Sequence, residues 1–283
     1  MTFDMNRTWD EALALMRANF QLLAVIAGVF LLLPTVMFYL GFPEVLVTPE
    51  PGQLSNDEAL AVLARVFPVI VLMILVQMVG YLAMIALIGG SRPTVGEAIA
   101  SAVKALPTLL ATFVTILAVA MLGGVALSIA LALMVVALSL VLGEGAVIGL
   151  TVLLYIVLLG VMFYLYARIA PLLPVIAIER ARGFVAPLKR AWKLTQGAGR
   201  RLFAFFALLF GAYIVISMVA GILLQALGLL TPDAPTGGGG VLAFALVASV
   251  IGALLAMLMS GILVSIHRQL AGNALAADVE YDA

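Results

Sequence analysis

RARGFVAPLKRAWKLTQGAGRR, residues 180–201, carries seven basic residues and no acid, half of the fourteen Lys and Arg in the chain. Apolar runs flank it on both sides, about 146–170 before it and 202–230 after it. A spanning helix needs roughly 20 mostly apolar residues, and both runs reach that length. Basic residues in a short loop between two spans hold that loop on the cytoplasmic side. This stretch therefore predicts both a membrane and an orientation.

Working outward, four more runs qualify as spans: about 20–40, 67–88, 108–137 and 241–266. Composition agrees. The 283 residues are 65% hydrophobic and 10% charged, against about 25% charged in soluble domains. A water-soluble fold of this make-up would expose large apolar patches. The expected fold is all-α: a polytopic membrane bundle of six transmembrane helices, forming one integral membrane domain over 1–283. The connections are legible too. GFPEVLVTPEPGQLSNDE (41–58) is Pro-rich and acidic, VLGEGA (141–146) is tight, and TPDAPTGGGG (231–240) is a turn with a glycine run. The third run exceeds what a bilayer needs, so tilt or a bend at Gly123–Gly124 is expected. The N-terminal stretch has Asp4, Asp10 and Glu11 in place of a basic n-region, so the first span is expected to stay as an uncleaved anchor.

With an N-terminus in the cytoplasm, the inside holds Arg7, Arg17, Arg92, Lys104, Arg168, Arg180, Arg182, Lys189, Arg190, Lys193, Arg200, Arg201 and Arg268. Only Arg65 falls outside, together with Glu44, Glu50, Asp57, Glu58, Glu144 and Asp233. Such a bias predicts that both termini are cytoplasmic.

TWDEALALMRANFQLL (8–23) and TVGEAIASAVKALPTLL (94–110) align at an offset of 86, matching Thr8 with Thr94, Glu11 with Glu97, Ala12 with Ala98 and Leu23 with Leu109. VAPLKRAWKLTQGAGRRLFAFF, at a similar interval, supplies a third copy. The expectation is a threefold repeat of a short interfacial helix followed by a pair of spans. In the third copy Pro187 suits a first helical turn. Val185, Leu188, Ala191, Trp192 and Thr195 recur on one face, and Lys189, Arg190, Lys193 and Gln196 on the other. Gly197 and Gly199 are expected to end that helix. A Trp-bearing apolar face beside a Lys/Arg face describes a helix lying in the membrane interface. Three readings are open for its charges: topogenic anchoring, binding of anionic lipid headgroups, or docking of a membrane protein partner.

Reagents for catalysis are scarce. The single histidine, His267, lies beside Arg268 at a span end and reads as an interfacial anchor, and Glu179 reads as a local ion partner of nearby arginines. No catalytic residue, metal site or cofactor is expected, and the chain has no cysteine. The formal net charge is zero, so nucleic acid is not expected as a partner. Among ionisable residues near the spans, Arg168 in YLYARIAPLLP stands out; it reads either as snorkelling to headgroups or as part of a basic pocket for a lipid phosphate. Gln77 and Gln225 read as interhelical hydrogen-bonding groups. Small residues at four-residue steps (Gly124, Ser128 and Ala132; Gly145 and Gly149; Ser217 and Gly221; Gly261 and Ser265) read as close-packing ridges of a compact bundle.

The pattern PxxP…ER…G…PLKRAWKLTQG…RR between the fourth and fifth spans, with GEAI between the second and third, resembles the bacterial glycerophosphoryl diester phosphodiesterase membrane-domain family, related to the YciC-like inner-membrane proteins. The resemblance implies a six-span bundle of the bacterial inner membrane. It does not bring an enzyme with it, because the phosphodiesterase barrel joined to some members needs His and carboxylates gathered around a metal, for which this chain, with its single His, has neither the room nor the residues. The functional expectation is a non-enzymatic inner-membrane protein engaging anionic lipid or a membrane partner, with Arg168, Lys189, Arg190, Trp192, Lys193, Arg200 and Arg201 as candidate headgroup contacts. The alternative is a transporter or permease component, which would need a polar cavity across the midplane lined by Gln77 or Gln225.

Overall fold

A computed structural model describes residues 3–46, 55–90, 93–141, 143–226 and 238–281. Arg92, Glu50, Asp233 and the 231–237 part of the glycine-run turn lie outside the described residues. Among the described residues every regular element is a helix. Six helical stretches are long and apolar enough to cross a membrane: Phe20–Gly41, Asp57–Gly89, Val95–Ser139, Gly145–Ala177, Gly199–Ala226 and Gly240–Gly272. These correspond to the six runs read from the sequence, mostly with longer ends; the described part of the fifth stops at Ala226, short of the expected 230.

The chain starts with α1 (Met5–Ala18), capped by the Asp4 carboxylate, which accepts from the Asn6 and Arg7 amides. Asn19 leaves helical geometry (φ −120°, ψ 17°) and separates α1 from the first span. That span comprises α2 (Phe20–Ala27), a π-helical turn over Gly28–Leu32, and α3 (Leu33–Gly41). Pro34, in the first turn of α3, follows the π turn. A proline ring crowds the carbonyl four residues back, and a wider turn is one way to relieve that crowding. The second span, α4 (Asn56–Gly89), opens with a capping box between Ser55 and Glu58. The third, α5 (Val95–Ser139), opens with the same device between Thr94 and Glu97.

Here the structure departs from the expected separate interfacial helix over 94–107. α5 runs unbroken for 45 residues through Pro107 and through Gly123–Gly124. The physical reason is local. In the first and last copies of the aligned segment a residue leaves helical space, Asn19 in one and Gly197 (φ 79°) in the other. The middle copy offers only Pro107, whose fixed φ is helical and whose missing N–H removes one hydrogen bond without turning the chain.

The fourth span is broken into α6 (Glu144–Ile169) and α7 (Leu172–Ala177), with Pro171 between them. Then come α8 (Ala186–Leu194), the fifth span α9 (Gly199–Ala226) and the sixth, α10 (Gly238–Tyr281).

α10 is the central helix, packing against α1, α2, α3, α4, α7 and α8. The apolar core gathers toward one end of the bundle, where Leu23, Ile26, Leu82, Ile85, Ile176, Leu202, Ile262 and Ile266 are fully buried. In α5 the buried side chains, Ala98, Ala102, Leu109 and Thr112, all lie in its first half. The outer halves of α5 and α6 stand apart from the rest, with Leu122, Leu133, Ile148 and Leu159 exposed. In lipid such exposure costs nothing, since the hydrocarbon is as apolar as the side chains.

Only part of the small-residue ridge expectation holds. Gly261 lets α1 approach α10 so closely that a Cβ there would sit 2.9 Å from the Ala12 carbonyl oxygen. By contrast a Cβ on Gly124, Gly145, Gly149 or Gly221 would meet nothing within 4 Å. Those ridges face open space, because a four-residue repeat of small side chains permits close packing without supplying the partner. Gln77 bonds between spans as expected, its Nε2 donating to Thr35 Oγ1 at 3.2 Å. Gln225 is exposed and makes no hydrogen bond among the described residues.

Because the atom facing Gly261 belongs to backbone, Gly261→Val is expected to cost about 1–3 kcal/mol by overpacking. α1 should detach first, read as faster tryptic cleavage after Arg17 and a changed Trp9 emission.

Candidate functional site

Residues 180–201 form a docked platform. Arg180 (φ 53°) and Gly183 (φ 95°) take the chain through left-handed turns before α8 begins. Pro187 occupies the first turn, as anticipated, and Pro187, Ala191 and Leu194 are buried against the bundle. Lys189, Trp192 and Lys193 face outward. The helix closes at Thr195, and Gly199 starts α9. A Cβ on Gly199 would stand 2.7 Å from the Tyr164 hydroxyl and 3.0 Å from Arg168 Cδ. Its bare backbone is what lets α9 lie against α6 at this level.

Three sets of interactions hold α8 in place. Thr195 is buried, with its hydroxyl 3.1 Å from the Arg168 carbonyl and 3.0 Å from the Ala191 carbonyl. Arg168 is 9% exposed; its Nη2 donates to the Trp192 carbonyl at 3.1 Å and Nη1 to the Tyr164 hydroxyl at 3.4 Å. Its guanidinium carbon lies 4.2 Å from the centre of the Trp192 ring, a cation–π contact that gains strength with desolvation. Arg168 Nε is buried with no partner among the described residues.

The third set is ionic. Arg190 grips the Glu179 carboxylate with two bonds, Nε to Oε2 at 2.8 Å and Nη2 to Oε1 at 3.2 Å. On the other side of the same carboxylate, His267 Nε2 lies 2.9 Å from Oε1. An ionised carboxylate only accepts, so that ring nitrogen carries the proton. Partial burial pushes the Glu179 carboxyl up. Hydrogen bonds from Arg190 and His267, reinforced by their charge, outweigh this and hold it below the ordinary carboxylate range. Glu179 is thus the ion partner read from the sequence, whereas His267 is a buried link between α10 and the platform.

A second network at the same end escaped the sequence reading. Glu11 of α1 accepts from Arg268 Nη1 at 3.1 Å and from the Ser265 hydroxyl at 3.0 Å. Arg268 Nη2 also donates to the Ile88 carbonyl at 2.8 Å, and Gln269 joins Thr8 and the Asp4 amide. Arg201 Nη1 donates to the Phe3 carbonyl at 3.2 Å. Only the aligned acid at Glu11 and the cation at Arg268 hinted at it in the sequence; nothing there paired them.

The seven candidate contacts therefore separate. Arg168, Arg190 and Arg201 are engaged by protein groups, and Arg168 is largely buried. Lys189, Lys193 and Arg200 are exposed and make no ion pair or hydrogen bond among the described residues. Trp192 is 39% exposed, one face covered by Arg168.

Beside Lys189, Trp192, Lys193 and Gln196 opens a groove of about 1310 Å³ between α5 and α6. Its α5 wall runs from Ile116 to Val136 and its α6 wall from Thr151 to Ile169. Gly124, Ser128 and Ala132 line it, the ridge that sequence spacing assigned to helix packing. Neither Gln77 nor Gln225 lines it.

No known protein family, curated protein or solved structure matches this chain.

Because the Glu179 carboxyl is held low, its contribution to docking α8 is full above the unfolded value of about 4.3 and is lost as pH falls through the lowered folded value. Glu179→Gln should produce the acid-state loosening at neutral pH. Both are expected to appear as faster amide hydrogen exchange over 186–194, with exchange in α4 unchanged.

Proposed function

We propose that this chain is a non-enzymatic multi-pass protein of the bacterial inner membrane, with both termini cytoplasmic, that binds anionic lipid headgroups at the platform formed by α8. The observation that carries this reading is the pair Lys189 and Lys193. They stand one helical turn apart beside Trp192, and no protein group neutralises them among the described residues. Each such cation at an anionic leaflet contributes on the order of 1 kcal/mol. Arg200 adds a third exposed charge at the start of α9. Arg168, Arg190 and Arg201 serve to hold the platform, so the headgroup contacts narrow to Lys189, Lys193, Arg200 and the exposed edge of Trp192.

The orientation belongs to this proposal and rests on the distribution of cations. So do the likeness to the glycerophosphoryl diester phosphodiesterase membrane-domain family and the descent of three units from one repeat, both supported by sequence pattern alone. A transporter reading gains no support from the groove, whose lining along the spans is mostly apolar and includes neither Gln77 nor Gln225.

The test is native mass spectrometry of the purified full chain with phosphatidylglycerol or phosphatidylcholine. Lys189→Glu with Lys193→Glu is expected to lower phosphatidylglycerol retention by at least about tenfold, from two lost cations worth about 1 kcal/mol each. Unchanged retention would refute headgroup binding. A reporter fused after Ala283 should read as cytoplasmic.

A further inference from the structure

We infer that the groove between α5 and α6 is the chain-binding half of the same site: it takes the hydrocarbon chain of an anionic amphiphile whose headgroup sits on Lys189 and Lys193. This rests on the preceding proposal and extends it from a charged surface to a bipartite lipid site.

Continuity is the first ground. The two lysines, which have no protein partner among the described residues, line the same cavity as Gly124, Ser128 and Leu158. Cations and an apolar trough lie end to end, the order in which an anionic lipid presents its headgroup and chain. The second ground is the open floor. A Cβ on Gly123 or Gly124 would meet nothing within 4 Å, so the small residues there accommodate no neighbouring helix of this chain and leave depth for another occupant.

Length is the third ground. From Ile116 to Val136 the α5 wall spans about 30 Å at helical rise, close to the whole hydrocarbon thickness of about 30 Å. One leaflet supplies half of that, so the groove rewards longer chains progressively from the lysine end.

Charge decides between a lipid and a second copy of the chain. A two-fold axis along the membrane normal would bring the lysines of both copies to one level at a shared interface. Like charges would then meet with no acid between them, whereas a phosphate neutralises them.

The experiment uses the full chain in detergent, titrated with long-chain phosphatidylglycerol, short-chain phosphatidylglycerol and glycerol phosphate. Gly124→Trp and Ser128→Phe, each at an exposed position lining the groove, should reduce long-chain retention by about tenfold, equivalent to about two methylenes losing their burial. Val215→Trp, on the exposed surface of α9 away from the groove, should leave it unchanged. Short-chain retention should be weaker in the original chain and little altered by filling the groove. In a Trp9→Phe background, phosphatidylglycerol with brominated chains should quench Trp192, and Ser128→Phe should abolish the quenching.

If the filled-groove variants keep full long-chain retention while Lys189→Glu with Lys193→Glu loses it, the headgroup reading stands and this inference falls. Equal loss in Val215→Trp also overturns it. A dimer that becomes monomeric on filling the groove, with lipid retention intact, assigns the groove to a second copy and overturns it as well.

Discussion

Hydrocarbon offers no hydrogen bonds and solvates no charge, so every polar group in a spanning protein must be paired internally or brought to the membrane surface. The rest of this structure follows from that constraint. Most of the charged side chains and several helix breaks collect at one end, where α1, the α7–α8 turn, α8 and the His267–Gln269 part of α10 converge. Packing is densest there because short helices, bare glycine contacts and paired charges all meet at that level. Toward the other end α3 still packs against α10, with the Tyr39 and Phe244 rings 5.3 Å apart, while α5 and α6, joined by a short connection, leave most of their apolar side chains exposed.

Two carboxylates organise the convergence. Glu179 joins α8 to α10 through Arg190 and His267, and Glu11 joins α1 to α10 through Arg268 and Ser265. Each is partly buried and satisfied from two sides, the arrangement in which an ion pair near an interface repays its desolvation. The sixth span is therefore fastened by both networks as well as buried as an apolar core. Arg168 plays a parallel part for the fourth span, where its carbonyl and guanidinium both bind α8. The result is a mount that leaves Lys189 and Lys193 exposed and unneutralised among the described residues, beside a mostly apolar trough.

Much of this was legible in one dimension. Six runs of sufficient length appear at the expected places, because hydropathy over twenty residues is a strong signal. The first-turn Pro187 follows from local backbone chemistry, whereas the capping boxes at Ser55 and Thr94 and the break at Pro171 came to light in the structure. Pro107 shows where that chemistry is ambiguous. A proline ends a helix only if the surrounding residues can leave it, and there the flanking Ala, Leu and Thr do not. The Gly124, Ser128 and Ala132 spacing shows a deeper ambiguity, since small residues admit a neighbouring helix and an open groove equally well.

What the sequence determined by itself is the membrane, the six helices and the gathering of cations between particular spans, since these depend on runs of neighbouring residues. The tertiary structure alone decided which cations are neutralised. Arg190 finds an acid eleven residues away, Arg268 one 257 residues away, and Lys189 finds none among the described residues. Those pairings are set by how helices distant in the chain pack against α10, and side-chain spacing along one helix carries no record of what stands opposite it.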